Sequence, residues 1–396
     1  MLNIIYSEKF GSECPSPVLN PRFESFESPK RVLAAYLYFH KRNFFKRKDV
    51  TIIPPHPLEE EDLLRVHTNH LIQKVKNLSN HGTGKIGRLV KATPGIYELA
   101  KLSAGAVTQL LVKLVEVGKE ADGRDEDNGP KRADGADNDG RIHGSSNEPR
   151  IGLSINRPPG HHAFAGKSDG LCVFNNIAIA IRYIQQVKGF RGKIAIIDID
   201  AHFGNGTSSI FYEDPDVLYI SLHEGNLTGS MGLNQEIGEN EGGGKNVNIR
   251  IPFQANGEIW FKALNIPREI LLQFQPDLII VASGLDGHYS DPIGNLQLTC
   301  DDYRSFGTWL SSLQRKLGGP PVGFVLEGGY STLILGQAIE HLISAFLPKY
   351  SPSDPIDKII PVQISPNRYE RMKKRMKGQE DRLKRLLDKY WDLNGI

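Results

Sequence analysis

The feature that most constrains this chain is a series of short, mostly apolar runs separated by helix-length segments. The runs lie at 2–6, 151–155, 194–199, 217–222, 247–251, 278–282 and 322–326. Continuous rather than alternating hydrophobicity predicts strands buried on both faces, which is the pattern of a parallel sheet. Between the runs, helices are expected at about 28–45, 95–117, 175–187, 258–274, 301–316 and 332–346. Ser28 followed by Pro29 marks one start well, a serine N-cap with proline at the first helical position. Strands alternating with helices predict an α/β fold: a single large three-layer domain with an open, mostly parallel sheet and helices on both faces. In such sheets ligands bind outside the carboxyl ends of the strands.

Composition sets the outer limits. The chain has 396 residues, 39% of them hydrophobic, and a formal charge of +2. That balance excludes a chain disordered throughout and does not suggest a polycation. Three widely spaced cysteines, Cys14, Cys172 and Cys300, provide no disulfide framework and point to a reducing, cytoplasmic setting. No stretch reaches ~20 apolar residues, so no membrane span is expected. A catalytic domain is expected over 1–350. Its 118–149 segment contains a single large apolar residue, Ile142, and reads as a mobile surface insertion. The remainder, 351–396, reads as a basic helical tail. From Arg368 to Asp392 it carries ten Lys/Arg against five Asp/Glu. The default for that tail is docking on the domain or on a second subunit, so a homo-oligomer is left open; nucleic-acid contact is the less favoured reading.

Four predicted strands end in polar residues. The 194–199 run leads into Asp198-Ile-Asp200-Ala-His202-Phe-Gly-Asn205-Gly-Thr207. Asp198, Asp200 and His202 share parity in an extended segment and so fall on one side. The 278–282 run leads to Asp286, with His288 two residues on as a lone loop histidine. Two carboxylates and an imidazole suit zinc with a position left open for water. The 151–155 run leads through Arg157-Pro-Pro-Gly to His161 and His162. Adjacent histidines point different ways, so both can border one cleft as proton-transfer groups without both binding one ion. The 322–326 run leads through Glu327-Gly-Gly to Tyr330, whose hydroxyl could serve a developing oxyanion. Convergence of the four strand ends predicts a hydrolase with a single metal ion.

With these motifs in place, the chain resembles the zinc-dependent histone deacetylase and acetylpolyamine amidohydrolase family. Arg157–Ala163, Gly170-Leu-Cys-Val-Phe-Asn-Asn176, Asp198–Thr207, Ser221-Leu-His223, Asp286 with Asp291-Pro-Ile-Gly294, and Leu326–Tyr330 occur in family order. The resemblance implies an arginase-like fold and hydrolysis of an acetylated amine, acetyl-lysine or acetylpolyamine. It implies zinc, or ferrous iron in the cell, on Asp200, His202 and Asp286. His162 would be general base and acid, with His161 beside the water and Tyr330 polarising the acetyl carbonyl. Asp198 and Asn205 would sit behind the two histidines. Gly170 and Leu171 would contact substrate, Asp198 and Ser221 could hold a structural potassium ion, and Arg31 would lie near an internal acetate exit.

Some positions depart from the family pattern. Phe203 stands where a second histidine is usual, and Leu171 where an aromatic residue commonly walls the tunnel. No partner aromatic is evident in 225–232, and the 87–94 loop lacks an aspartate to clamp a peptide backbone. Two alternative readings fit these residues less well. A two-manganese ureohydrolase would need a carboxylate two residues after His202, where Gly204 stands. A non-catalytic acyl-amine binding module would not need the complete histidine and tyrosine set.

Overall fold

The apolar runs do form strands. The computed structural model describes residues 1–120, 150–227, 229–356 and 364–395. Its strands are β1 Leu2–Ile5, β2 Val50–Ile53, β3 Gly84–Lys85, β4 Lys91–Ala92, β5 Ile151–Ser154, β6 Ile194–Asp198, β7 Val217–Glu224, β8 Asn246–Ile251, β9 Leu278–Ser283 and β10 Val322–Leu326. Eight of them form one sheet in the order β2-β1-β5-β10-β9-β6-β7-β8. Every neighbouring pair in it is parallel. β3 and β4 make a separate antiparallel ribbon. Every residue of β5, β6, β7, β9 and β10 is buried, so the sheet is covered on both faces, as its uninterrupted hydrophobicity requires.

Packing explains the small residues inside these strands. The helix Ile96–Glu120 lies over β1, β5 and β10. A Cβ at Gly152 would sit 2.3 Å from Leu110 Cδ1, and one at Gly323 3.1 Å from Leu114 Cδ1. Glycine at both places lets two leucines of that helix settle onto the sheet. Burying each leucine contributes roughly 1.5–3 kcal/mol.

Several element boundaries differ from the sequence-based expectation, for local reasons. The 28–45 helix stops at Lys41; Asn43 adopts a left-handed conformation (φ 54°) and a 3₁₀ turn, Phe44–Lys46, follows. The 258–274 helix is two helices, Gly257–Lys262 and Asn265–Phe274. Pro267 lacks an N–H, which a helix tolerates only in its first turn, so the second helix must begin just before it. The 332–346 helix is shorter, Leu335–Ser344. β2 was not anticipated; its four residues run straight into Ile53-Pro-Pro, and a short edge strand carries little periodic signal. The helix Asn69–Asn80 was also missed. Of the expected 118–149 insertion, residues 121–149 lie outside the described residues.

The basic tail contains the helix Pro366–Leu387, which packs Met372, Met376, Leu383 and Leu387 against the body. Gln379 fastens it to the sheet edge. Its Oε1 accepts the backbone N–H of Arg250 in β8 at 3.2 Å, and its Nε2 donates to the Arg250 carbonyl. A side-chain amide thus takes the place of a ninth strand on the β8 edge. None of Cys14, Cys172 and Cys300 forms a disulfide among the described residues. Among the described residues no helix is long and apolar enough to cross a membrane.

Candidate active site

In a parallel sheet all carboxyl ends share one edge. β5, β10, β9 and β6 are consecutive in the sheet, although they span 151 to 326 in sequence. The four polar strand ends therefore meet. One ligand atom each from Asp200, His202 and Asp286 lies within 4.8 Å of the others. His202 Nδ1 is the nitrogen that faces the carboxylates, 2.7 Å from Asp286 Oδ2 and 3.2 Å from Asp200 Oδ1. Backbone N–H groups orient the remaining oxygens: Gly328 donates to Asp200 Oδ2 at 2.9 Å and Ala201 to Asp286 Oδ1 at 2.8 Å. Glycines leave the space around them open. A Cβ at Gly328 would come within 2.5 Å of Asp200 Oδ2 and 2.8 Å of Asp286 Oδ2, and one at Gly284 within 2.0 Å of Asp200 Oδ2.

The electrostatics of the cluster favour a cation between the carboxylates. Burial opposes ionisation of Asp200, but His161 and His202 beside it hold its carboxyl well below the usual range. Burial, and then the charge of Asp200, push Asp286 up to about 7. Two buried carboxylates with facing oxygens repel unless a cation lies between them. The donor set, two carboxylate oxygens and one imidazole nitrogen, fits a divalent ion such as zinc and leaves a position open.

Behind this cluster the two histidines are held differently. His161 Nδ1 is 3.1 Å from Asp198 Oδ2. Burial works against its charged form, yet Asp200 and Asp198 lift its pKa to about 10. His162 Nδ1 is 3.0 Å from Asn205 Oδ1. Burial, with His161 and His202 nearby, drives His162 well below its usual value. Asp198 also accepts from the Tyr219 hydroxyl at 2.8 Å and the Asp200 N–H at 3.2 Å. A Cβ at Gly204 would meet Asp198 Oδ2 and the Tyr219 hydroxyl, each at 2.4 Å. No side chain fits there, which removes the bridging carboxylate that a two-manganese site would need. Gly170 has φ 55°, and a Cβ on it would lie 2.3 Å from His162 Cδ2; glycine there lets the backbone lie against that imidazole.

A cavity of about 310 Å³ opens above the cluster, lined among others by His162, His202, Gly170, Leu171, Tyr330 and Ile293. Its aromatic walls come from outside 225–232. Phe23 and Phe26, stacked at 5.5 Å, come from the N-terminal segment, and Leu89 comes from the 87–94 loop. Phe203 instead packs on His223 and Tyr219. Asp291 sets Tyr330 in place by accepting its N–H at 2.7 Å, while the Arg31 guanidinium lies 4.9 Å from its ring centre. Ser221 stands opposite Asp198 in the β6–β7 register, with its hydroxyl 2.8 Å from His223 Nδ1. His288 belongs to a neighbouring turn, with its Nδ1 on Ser290.

Two acidic residues were not singled out from sequence. Glu327 Oε2 accepts the N–H groups of Gly160 and His161 at 2.7 and 3.1 Å, tying the histidine turn to β10. Burial pushes Glu327 up to about 7. Glu27 lies between two buried arginines, 3.0 Å from Arg157 Nε and 3.7 Å from Arg31 Nη1. Arg31 in turn donates to the Gly329 carbonyl at 2.9 Å and to that of Glu327.

Comparison with known proteins defines the class to which this sheet and site belong. Residues 25–346 match the family model of the histone deacetylase domain, and the chain belongs to that family. It is 34% identical over 278 residues to a histone deacetylase-like amidohydrolase of Pseudomonas aeruginosa, an alignment covering 69% of this chain and 65% of that protein. It is 28% identical over 329 residues to a probable deacetylase of Archaeoglobus fulgidus, covering 83% and 81%. With the chloroplastic histone deacetylase 14 of Arabidopsis thaliana it shares 37% over 207 residues, 51% of this chain and 48% of that protein. The chain thus spans less than two thirds of the length of several curated relatives it matches. The crystal structure of the HDA15 HD domain has the same fold, with a TM-score of 0.76 at 23% identity over 99% of this chain and 96% of that one.

Proposed function

We propose that this chain is a zinc-dependent deacetylase that hydrolyses the amide of an acetylated amine, acetyl-lysine or acetylpolyamine, to acetate and free amine. One observation carries the proposal: Asp200, His202 and Asp286 bring ligand atoms within 4.8 Å of one another beneath a cavity that His162 and Tyr330 also line. A zinc ion held by those three would acidify a water and polarise the amide carbonyl. The protein's own groups do the rest. With Nδ1 bonded to Asn205 Oδ1, His162 carries its mobile proton at Nε2. There it takes the proton of the attacking water and returns it to the leaving nitrogen. His161 is held by Asp198 and donates towards the water and the developing oxyanion. The Tyr330 hydroxyl donates to that oxyanion, for which a single donor is worth roughly 2.7–4 kcal/mol. Gly170 and Leu171 border the acyl chain, and the Gly170 carbonyl orients the substrate N–H. Asp198 and Ser221 remain a proposed potassium site at the β6–β7 pair.

The apolar walls, Phe23, Phe26, Leu89, Leu171 and Ile293, suit the methylene chain of a lysine or polyamine. The test is acetate release from acetyl-lysine peptides, acetylputrescine, acetylspermidine and longer acyl chains, with and without chelator. Release that a chelator abolishes and zinc restores is expected. Ferrous iron restoring more activity than zinc would change the metal. Release that ignores the chelator would remove the metal mechanism, and binding without release from any acyl amine would make the chain a reader.

A further inference from the structure

The C-terminal helix Pro366–Leu387 has three distinct faces. Met372, Met376, Leu383 and Leu387 are buried against the body, with Gln379 beside them on β8. A second face holds balanced pairs: Lys373 with Glu370, Lys377 with Glu380 and Asp381, and Lys384 with Glu380. The third face is purely cationic. At 3.6 residues per turn, positions 371, 375, 378, 382 and 385 fall within about 40° of one line. They are Arg371, Arg375, Gly378, Arg382 and Arg385, and all four arginines are exposed. Lys374 flanks the same line. Among the described residues none of these five cations makes an ion pair or side-chain hydrogen bond.

We propose that this row is a docking surface for the phosphate backbone of a nucleic-acid duplex, bound without regard to sequence. From Arg371 to Arg385 it is about 21 Å long at 1.5 Å per residue. A duplex presents one negative charge per ~1.7 Å of its axis, so such a row meets phosphates along its whole length. Four of the five cations are arginine, whose planar fork suits phosphate oxygens. The net charge of the chain is only +2, so the row stands out as a local feature of one helix face. An anionic membrane fits less well. A helix lying in a bilayer surface needs its apolar face free to enter the lipid, and here that face is buried against the domain. The row shares no residue with the cavity, so the surface is independent of the proposed chemistry.

The test uses the full chain, a mixed-sequence DNA duplex of about 20 bp, and fluorescence anisotropy from about 50 to about 200 mM salt. Five phosphate contacts predict that log K falls with log salt at a slope of about −4.5. The variant Arg371→Gln/Arg375→Gln/Arg382→Gln/Arg385→Gln should flatten that slope to about −1 and weaken binding roughly 100-fold at the lower salt. Arg382→Gln/Arg385→Gln should reduce it by about two, which covers the case in which the fourfold variant folds poorly. A charge-matched control, Lys30→Gln/Lys41→Gln/Lys46→Gln/Lys48→Gln, should bind as the unaltered chain does. Three results would overturn the proposal: no duplex binding at low salt, equal loss in the control, or binding to phosphatidylserine vesicles but not to duplex.

Discussion

Asn205 determines what His162 can do. An amide oxygen 3.0 Å from Nδ1 keeps a proton on that nitrogen and leaves Nε2 as the working atom, whereas Asp198 gives His161 a carboxylate partner and favours its charged form. The two adjacent imidazoles are biased to opposite protonation states: Asp200 and Asp198 favour the charged form of His161, while burial and the neighbouring imidazoles keep His162 neutral. Tyr330 stands apart from the metal-ligating set, held by its backbone on Asp291 and by its ring beside Arg31. Tyr330→Phe should therefore keep its zinc while turnover falls roughly 100- to 1,000-fold, whereas Asp200→Ala should lose the metal itself. Metal content by atomic spectroscopy alongside kcat separates the two effects; unchanged turnover in the tyrosine variant would take its hydroxyl out of the reaction. At this scale the sequence was legible where chemistry sits at the end of an apolar run. Asp200, His202, Asp286 and Tyr330 all stand out in that way. Glu327 also follows such a run, but its task, like that of Glu27, lies in partners over 100 positions away: Glu327 on the Gly160–His161 turn, Glu27 on Arg157. Phe23 and Phe26 escape notice for the same reason, since they arrive from the other end of the chain.

Among the elements, the buried strands were the easiest to read. A strand covered on both faces has no polar alternation to confuse, and β5, β6, β7, β9 and β10 announce themselves by composition. Elements set by tertiary contacts were harder, as β2 and the split at Pro267 show. The loop that positions the helix Asn176–Gln186 contains a testable case. His67 is buried; its Nδ1 lies 3.1 Å from the Phe164 carbonyl, and its Nε2 accepts the Asn175 N–H at 2.9 Å. A protonated ring would lose that acceptor, and burial depresses its pKa to about 4. The folded state thus binds fewer protons than the unfolded one between the two pKa values. Its contribution is complete above about pH 6.5 and lost as pH falls towards 4, amounting to about 3 kcal/mol. Denaturant unfolding of the chain and of His67→Gln at several pH values should show a shallower acid slope in the variant; equal slopes would assign the acid loss to other groups.

For the whole molecule, the fold's contribution is to make neighbours of distant segments. A parallel arrangement sets β5, β10, β9 and β6 side by side, so residues from 161 to 330 share one crevice. The near-neutral total charge conceals an uneven distribution, with an apolar cavity at the strand ends and a cationic row on the last helix. The family match over 25–346 stops short of that helix, so the row lies outside the matched residues. The central claim is that one divalent ion, held jointly by three side chains from two strand ends, makes the crevice an amide hydrolase. Its most direct test is to strip the protein of metal and titrate zinc back, following both bound metal and acetate release from an acetyl-lysine peptide and acetylspermidine. The account predicts that activity rises linearly and levels off at one equivalent per chain, and that Asp286→Ala shows neither tight binding nor release. Full activity in the stripped protein, or a plateau reached only at two equivalents, would contradict it.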